Sequence, residues 1–185
     1  MRNLLLLFFV LWSSLCHSQL LNGYYDVKNV LLNGIHLNDS LSRCFDVLGM
    51  PSEVFMYDVP PFHENTPPSL NRYKYGENEI LSNIGSLEGD YFTGFIIKDS
   101  LYPFVVTLYS GKSQPYEIVV GSHFDAKKVE SIYPYLLKST SSPDQHDYGI
   151  RLGGLYVPEF RNTYLNIKCN GNDIVQLIEV IYEVE

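Results

Sequence analysis

Beyond residue 18 the histidines of this chain are His36, His63, His123 and His146, and no two of them stand at the spacing of a helical metal-binding pair. The nearest groupings are His123-Phe124-Asp125 and Asp144-Gln145-His146-Asp147, the second in a Ser- and Pro-containing stretch that reads as a solvated turn. No Cys pair at ligand spacing joins them, so neither metal nor cofactor is expected. A serine nucleophile needs a base within reach, yet Gly121-Ser122-His123 puts Ser and His side by side, where strand side chains point to opposite faces. Cys44 next to Phe45 on an apolar helix face is a poor nucleophile. The acidic pairs Glu77/Glu79 and Asp144/Asp147 lie near turns, where acids serve solubility more often than hydrolysis. Gly153-Gly154 lacks the lysine and helix of a phosphate loop. These residues point away from an enzyme.

The elements that must carry them can be read from caps, turns and periodicity. Val30 to Leu37 is β-rich with an Asn33-Gly34 break, which predicts a short hairpin. Asn38-Asp39-Ser40 then offers N-caps for Leu41, Cys44, Phe45 and Leu48 at helical spacing, and Gly49 with Pro51 ends the helix, predicted over about 40–48. The prolines of Pro51 to Leu70 make that stretch a connection. Arg72–Tyr75, Glu79–Ile84, Tyr91–Asp99 and Phe104–Tyr109 are short and aromatic or β-branched, as in an antiparallel meander.

A second round follows. Ile118 to Asp125 is a β segment running into a capping acid, and Ala126, Val129, Ile132 and Tyr133 form an apolar helix face closed by Pro134. Lys138 to Asp147 reads as a polar connection. Tyr148–Tyr156, Thr163–Cys169 and Ile174–Val184 read as strands, with Asn170-Gly171 as a hairpin turn. The expected fold is therefore α+β in two layers: two tandem helix-then-antiparallel-sheet repeats over 19–102 and 103–185, their sheets either separate or joined into one continuous curved sheet.

The first eighteen residues give an address. Arg2, the apolar run Leu4–Trp12 and the polar Ser13–Ser18 form a signal peptide cleaved near Ser18/Gln19, because the apolar run is shorter than the roughly 20 residues a membrane span needs. The alternative is lipidation of Cys16, against which Leu15 is a poor fit to the processing site. Either way the chain is expected in the periplasm or at the cell surface.

Loss of Arg2 leaves 12 Lys and Arg against 21 Asp and Glu, a charge of −9. With no basic stripe, nucleic acid is excluded as a partner, and no second apolar run suggests a membrane span after cleavage. Cys44 and Cys169 remain. An oxidising compartment favours a disulfide between them; otherwise Cys44 is a small buried side chain. The fifteen tyrosines suit half-buried sheet faces and also recognition surfaces.

Three stretches, Asn33-Gly34-Ile35-His36-Leu37-Asn38-Asp39-Ser40-Leu41, Leu48-Gly49-Met50-Pro51 and Tyr73-Lys74-Tyr75-Gly76, resemble the repeat of the beta-lactamase-inhibitor-protein-like superfamily. That superfamily also includes the small outer-membrane lipoprotein of the barrel-assembly machinery. Val120-Gly121-Ser122 through Tyr133-Pro134 resembles a divergent second copy. The resemblance implies helices packed on one face of a curved antiparallel sheet whose other face binds a protein, and it carries no catalytic residues. Asn38-Asp39-Ser40 also matches an N-glycosylation sequon, although helix capping uses the same residues. Asp39-Ser40-Leu41 and Asp99-Ser100-Leu101 resemble the O-glycan acceptor of exported proteins from Bacteroidetes-like bacteria.

The leading expectation is thus a non-catalytic exported module of the cell envelope, inhibitor-like or assembly-factor-like. Its partner would be a protein of the envelope or beyond, bound through an aromatic-rich sheet face bearing Tyr73, Tyr75, Tyr91, Tyr109 and Tyr164. A small-molecule or glycan binder using the same rings is the alternative, and an enzyme without a linear motif comes third.

Overall fold

The computed structural model describes residues 23–55, 71–82, 90–102, 104–109, 114–142, 144–153 and 162–183. The proposed signal peptide and most of the Pro51–Leu70 connection, with His63, lie outside them. Among the described residues, thirteen strands, two α-helices and one 3-10 turn (Val27–Asn29) follow, the strands and α-helices in the order β1 (Tyr25–Asp26), β2 (Val30–Leu32), β3 (Ile35–His36), α1 (Leu41–Leu48), β4 (Glu53–Phe55), β5 (Asn71–Tyr75), β6 (Asn78–Ser82), β7 (Phe92–Ile97), β8 (Val106–Leu108), β9 (Tyr116–Ile118), α2 (Ala126–Ile132), β10 (Leu137–Ser142), β11 (Gln145–Gly153), β12 (Asn162–Asn170) and β13 (Val175–Glu183).

Local chemistry explains the short elements. Asn33 and Gly34 both take positive φ, 49° and 81°, which a two-residue hairpin with matching twist requires, and they join β2 to β3. Ser40 caps α1 by accepting from the Arg43 N–H at 3.4 Å, and Gly49 leaves the helix at φ 81°. Asp125 caps α2 by accepting from the Lys128 N–H at 3.1 Å. At the β12–β13 turn the left-handed residue is Asp173, at φ 57°, not Gly171 as the Asn-Gly pair suggested. The Asn170 side chain decides this by accepting from the N–H groups of Asn172 and Ile174, both at 3.0 Å, which builds the loop around an Asx turn.

The two-repeat α+β expectation is corrected. The molecule is mostly β, with a nine-stranded mixed sheet in which β11-β12-β13-β7-β6-β5-β4 run side by side and both β1 and β10 pair with β11. All its pairings are antiparallel except β1 on β11. A second sheet, β3-β2-β8-β9, draws its strands from the start and the middle of the chain. The meander therefore ends at β7. Its expected fourth strand, β8, leaves because Val106 and Leu108 pair with Leu32 and Val30, while Asn33 fixes Val105 from both sides, accepting its N–H at 2.7 Å and donating to its carbonyl at 2.9 Å. The expected polar connection 138–147 is corrected as well: its Ser and Thr residues tolerate an extended edge, and β10 pairs with β11 there.

Both sheets and both helices feed one hydrophobic cluster. Strict alternation on the long strands sets which side chains enter it. Tyr148, Ile150 and Leu152 of β11, Leu165, Ile167 and Cys169 of β12, and Tyr73 and Tyr75 of β5 are buried, and their sequence neighbours face the other way. Three polar residues, Asn78, Ser82 and Thr93, are fully buried with them. Asn78 accepts from the N–H groups of Lys98 and Asp99 at 2.8 and 2.9 Å, which satisfies it and locks the end of β7 to β6.

Candidate functional site

The five tyrosines named as a binding face do not share a face. Tyr73 and Tyr75 are in the core, Tyr73 edge-on to Phe45 with ring centroids 5.3 Å apart, and Tyr75 against Phe104 with its hydroxyl donating to the Gly49 carbonyl at 2.8 Å. Burial pushes the Tyr75 hydroxyl up to about 12. Tyr91 is half-buried where it bridges to Ser40. Tyr109 is exposed at the end of the second sheet, its carbonyl accepting from the Tyr25 hydroxyl. Tyr164 points away from the core on β12 and lies over Gly149, filling the space a missing side chain leaves.

The face turned away from the core is a polar ladder. In register across it run Gly149, Asn166, Glu179, Ile96, Glu79, Lys74 and Glu53. Ion pairs Lys168–Glu179 at 3.2 Å, Arg72–Glu79 at 3.1 Å and Lys74–Glu53 at 3.5 Å cross-link neighbouring strands there. The expectation of an aromatic-rich open face is thus corrected: the strand period sends Arg72 and Lys74 outward, and so sends Tyr73 and Tyr75 inward.

Other residues singled out from the sequence are structural as well. Cys44 and Cys169 are free, fully buried thiols, not a disulfide. They occupy separate parts of the core, Cys44 under α1 near Tyr75 and Cys169 on β12 near Tyr116 and Tyr148. Burial, aided by Asp39 at Cys44 and by Asp173 and Asp147 at Cys169, pushes both thiols up to about 12, so neither is a thiolate at neutral pH. In the sequon, the Asn38 backbone, at φ 72°, donates to the Phe92 carbonyl at 2.7 Å. Asp39 accepts from the His36 N–H and pairs with Arg43, and Ser40 caps α1. Ser100 is exposed next to Asp99, whose carboxylate accepts from the Leu101 N–H at 2.7 Å.

Two features were not anticipated. The first joins residues that are far apart in sequence. One oxygen of Asp173 accepts from the Tyr148 hydroxyl at 2.9 Å and pairs with His146 Nδ1 at 2.7 Å. The His146 bond, then the Tyr148 bond, with His123 adding a favourable field, hold the Asp173 carboxyl below its ordinary range. Burial and the same carboxylate push the Tyr148 hydroxyl up. The group ties β11 to the β12–β13 turn, and that turn holds the approach to α2 because the Phe124 N–H donates to the Asp173 carbonyl at 2.7 Å. No group of three or more His, Cys, Asp or Glu suited to a metal is found among the described residues.

The second feature is an apolar rim. Val47 (50 % exposed), Met50 (80 %), Val54 (46 %) and Phe55 (43 %) fall within nine consecutive positions, where α1 ends and β4 begins. Gly49 turns the chain and is pinned by Tyr75. Ser52 then donates to the Lys74 carbonyl through both its N–H, at 2.8 Å, and its hydroxyl, at 3.2 Å, which lays β4 along β5. Among the described residues β4 has β5 as its one strand neighbour, so β4 is an edge, and all three of its residues are exposed. The Lys74 ammonium lies 4.8 Å from the Phe55 ring centroid. In sequence the signal was present but faint: Val47, Met50, Val54 and Phe55 lie off the inward stripe formed by Leu41, Cys44, Phe45 and Leu48. No protein-family model, no curated protein and no solved structure matches this chain.

Proposed function

We propose that this chain is a non-catalytic exported module that binds another protein of the cell envelope, and that it does so at the α1–β4 rim. The observation that carries this reading is β4, an edge strand among the described residues, whose Val54 and Phe55 are exposed. Single exposed apolar residues are ordinary, whereas a run of them on a sheet edge is a liability that folded proteins usually blunt with charge, bulges or cover. The groups with reactive potential support the non-catalytic part. The Asp173 oxygen facing His146 and Tyr148 already accepts from both, and the two thiols are buried and protonated. No helix among the described residues is long and apolar enough to cross a membrane.

The test is capture from an envelope extract of the source cells by the immobilised wild-type chain and by a Val54→Asp/Phe55→Asp variant with the same circular dichroism spectrum. A specific protein, identified by mass spectrometry, should be retained by the wild type and lost from the variant. Retention by both, with loss instead from a Tyr109→Ala/Tyr164→Ala chain, would return the site to the tyrosines.

A further inference from the structure

We infer that Asn170 is a modification site at which the chain slowly deamidates itself, and that the isoaspartate product releases Asp173 from the group it holds together. Three Asn-Gly pairs occur in the sequence, Asn22-Gly23, Asn33-Gly34 and Asn170-Gly171, and the last two lie wholly within the described residues. Deamidation starts when the backbone nitrogen after an asparagine attacks the side-chain Cγ, and a glycine there leaves that nitrogen open to close approach. The two described pairs are held differently. Asn33 is fastened to the start of β8, its Oδ1 accepting from the Val105 N–H at 2.7 Å and its own N–H donating to the Val105 carbonyl at 2.9 Å, at a φ of 49°. Ring closure there would pull the side chain off Val105. Asn170 instead folds forward over its own loop. Its Oδ1 accepts from the N–H groups of Asn172 and Ile174, both at 3.0 Å, so the side chain wraps around the peptide unit that joins Asn170 to Gly171.

The same two N–H groups stand where the chemistry needs them. As the Gly171 nitrogen bonds to Cγ, negative charge develops on Oδ1, and donors about 2.7–3.1 Å from that oxygen lower the barrier. The N–Cγ bond forms, the Gly171 proton passes to water, and the Cγ–Nδ2 bond breaks as Nδ2 takes up a proton and leaves as ammonia. Gly171 and Asn172 are exposed, so water reaches both the nitrogen and the succinimide ring that results. Water then opens the ring at either carbonyl. Attack at Cγ gives aspartate, whose carboxylate still accepts from Asn172 and Ile174. Attack at the backbone carbonyl gives isoaspartate, which routes the main chain through Cβ and adds one atom to the loop. In the native loop the Asp173 N–H donates to the Asn170 carbonyl at 2.9 Å, and the Asn170 N–H donates to the Ile174 carbonyl at 3.0 Å. Isoaspartate turns that Asn170 carbonyl into a carboxylate on a side branch, so the turn cannot close as before. Asp173 then leaves His146 and Tyr148, and the Phe124 N–H loses the Asp173 carbonyl.

The experiment ages the full chain in mildly alkaline buffer, folded or unfolded in guanidinium chloride, and maps its peptides by mass spectrometry after digestion at acid pH. In the folded chain the Asn170 peptide should convert about tenfold or more faster than the Asn33 peptide. It should also convert faster than in guanidinium, where the two rates should draw together. Gly171→Ala should slow conversion at Asn170 in both states and leave Asn33 unchanged. Fragmentation distinguishes isoaspartate from aspartate, and chromatography separates the two products. Amide exchange at Phe124 should quicken in the isoaspartate fraction and stay as in wild type in Asn170→Asp, which reproduces the other product. If Asn170 converts no faster folded than unfolded, the loop does not promote the reaction and Asn170 is no such site. If the isoaspartate fraction keeps the Phe124 protection of wild type, the modification does not release Asp173.

Discussion

The large sheet has two very different ends. On the β10 side the outer strand is six residues long and reads Leu-Lys-Ser-Thr-Ser-Ser, with Lys138 paired to Glu130 at 2.7 Å and a bulge between Thr140 and Ser142. Its large apolar residue, Leu137, lies against Gly149, where an added Cβ would meet it at 3.5 Å, yet stays 53 % exposed. Charge, hydroxyls and a bulge are the usual means of discouraging another chain from pairing there. The β4 end has three residues, two of them apolar and exposed and the third Glu53, paired with Lys74 at 3.5 Å, with no bulge among the described residues.

The largest effect should come from behind the β4 edge. Tyr73→Ala removes a buried ring in register with Val54 and should cost about 3–5 kcal/mol in urea unfolding, whereas Phe55→Asp should cost less than about 1 kcal/mol. Comparable losses would mean that the rim is core and not a surface held ready. Next, Asn78→Ala strips acceptors from the N–H groups of Lys98 and Asp99 and should cost about 1–3 kcal/mol. Because Asn78 anchors the strands that carry β4, exchange of the β4 amides should quicken in that variant.

At the guarded end, Asp173→Asn tests the tie between β11 and the β12–β13 turn. Asp173 ionises at lower pH in the fold than in the unfolded chain, so its contribution is whole above the unfolded value of about 3.9 and is lost as pH falls through the depressed folded value. Solvent screens the group, so the loss at neutral pH should stay below about 1 kcal/mol. Urea midpoints measured across acid pH should fall less steeply for the variant than for wild type. The smallest change in stability, within about 0.5 kcal/mol, is expected for Lys138→Val/Thr140→Val. That chain should nonetheless self-associate in sedimentation through β10, whose charge and hydroxyl no longer discourage pairing with another strand; a monomer would show that the polar residues of β10 do not guard it.

Much of the local structure was legible in the sequence. Asn33-Gly34, Ser40, Gly49 and Asp125 each specify a turn or cap through their own backbone chemistry, and the alternation of β11 and β12 shows on the page. What the sequence hides is pairing at a distance. Nothing local tells β8 to join β2, β13 to join β7, or Tyr25 to run parallel to Leu152. The site was half legible: Arg72 and Lys74 alternate with Tyr73 and Tyr75, and parity alone places those rings inside once the charges face water. The rim was missed because a three-residue strand beside prolines gives no period to read, and the Asp173 group because its members lie 25 and 27 positions apart.

The most direct test of the β4 edge is calorimetric titration of a peptide, selected on the full chain from a random display library, into wild type and into the Val54→Asp/Phe55→Asp chain, with urea unfolding of both as a control. The expected result is a loss of about tenfold or more in affinity, with stability unchanged within about 1 kcal/mol. Equal affinity in two equally stable chains would contradict the assignment of β4 as the docking edge.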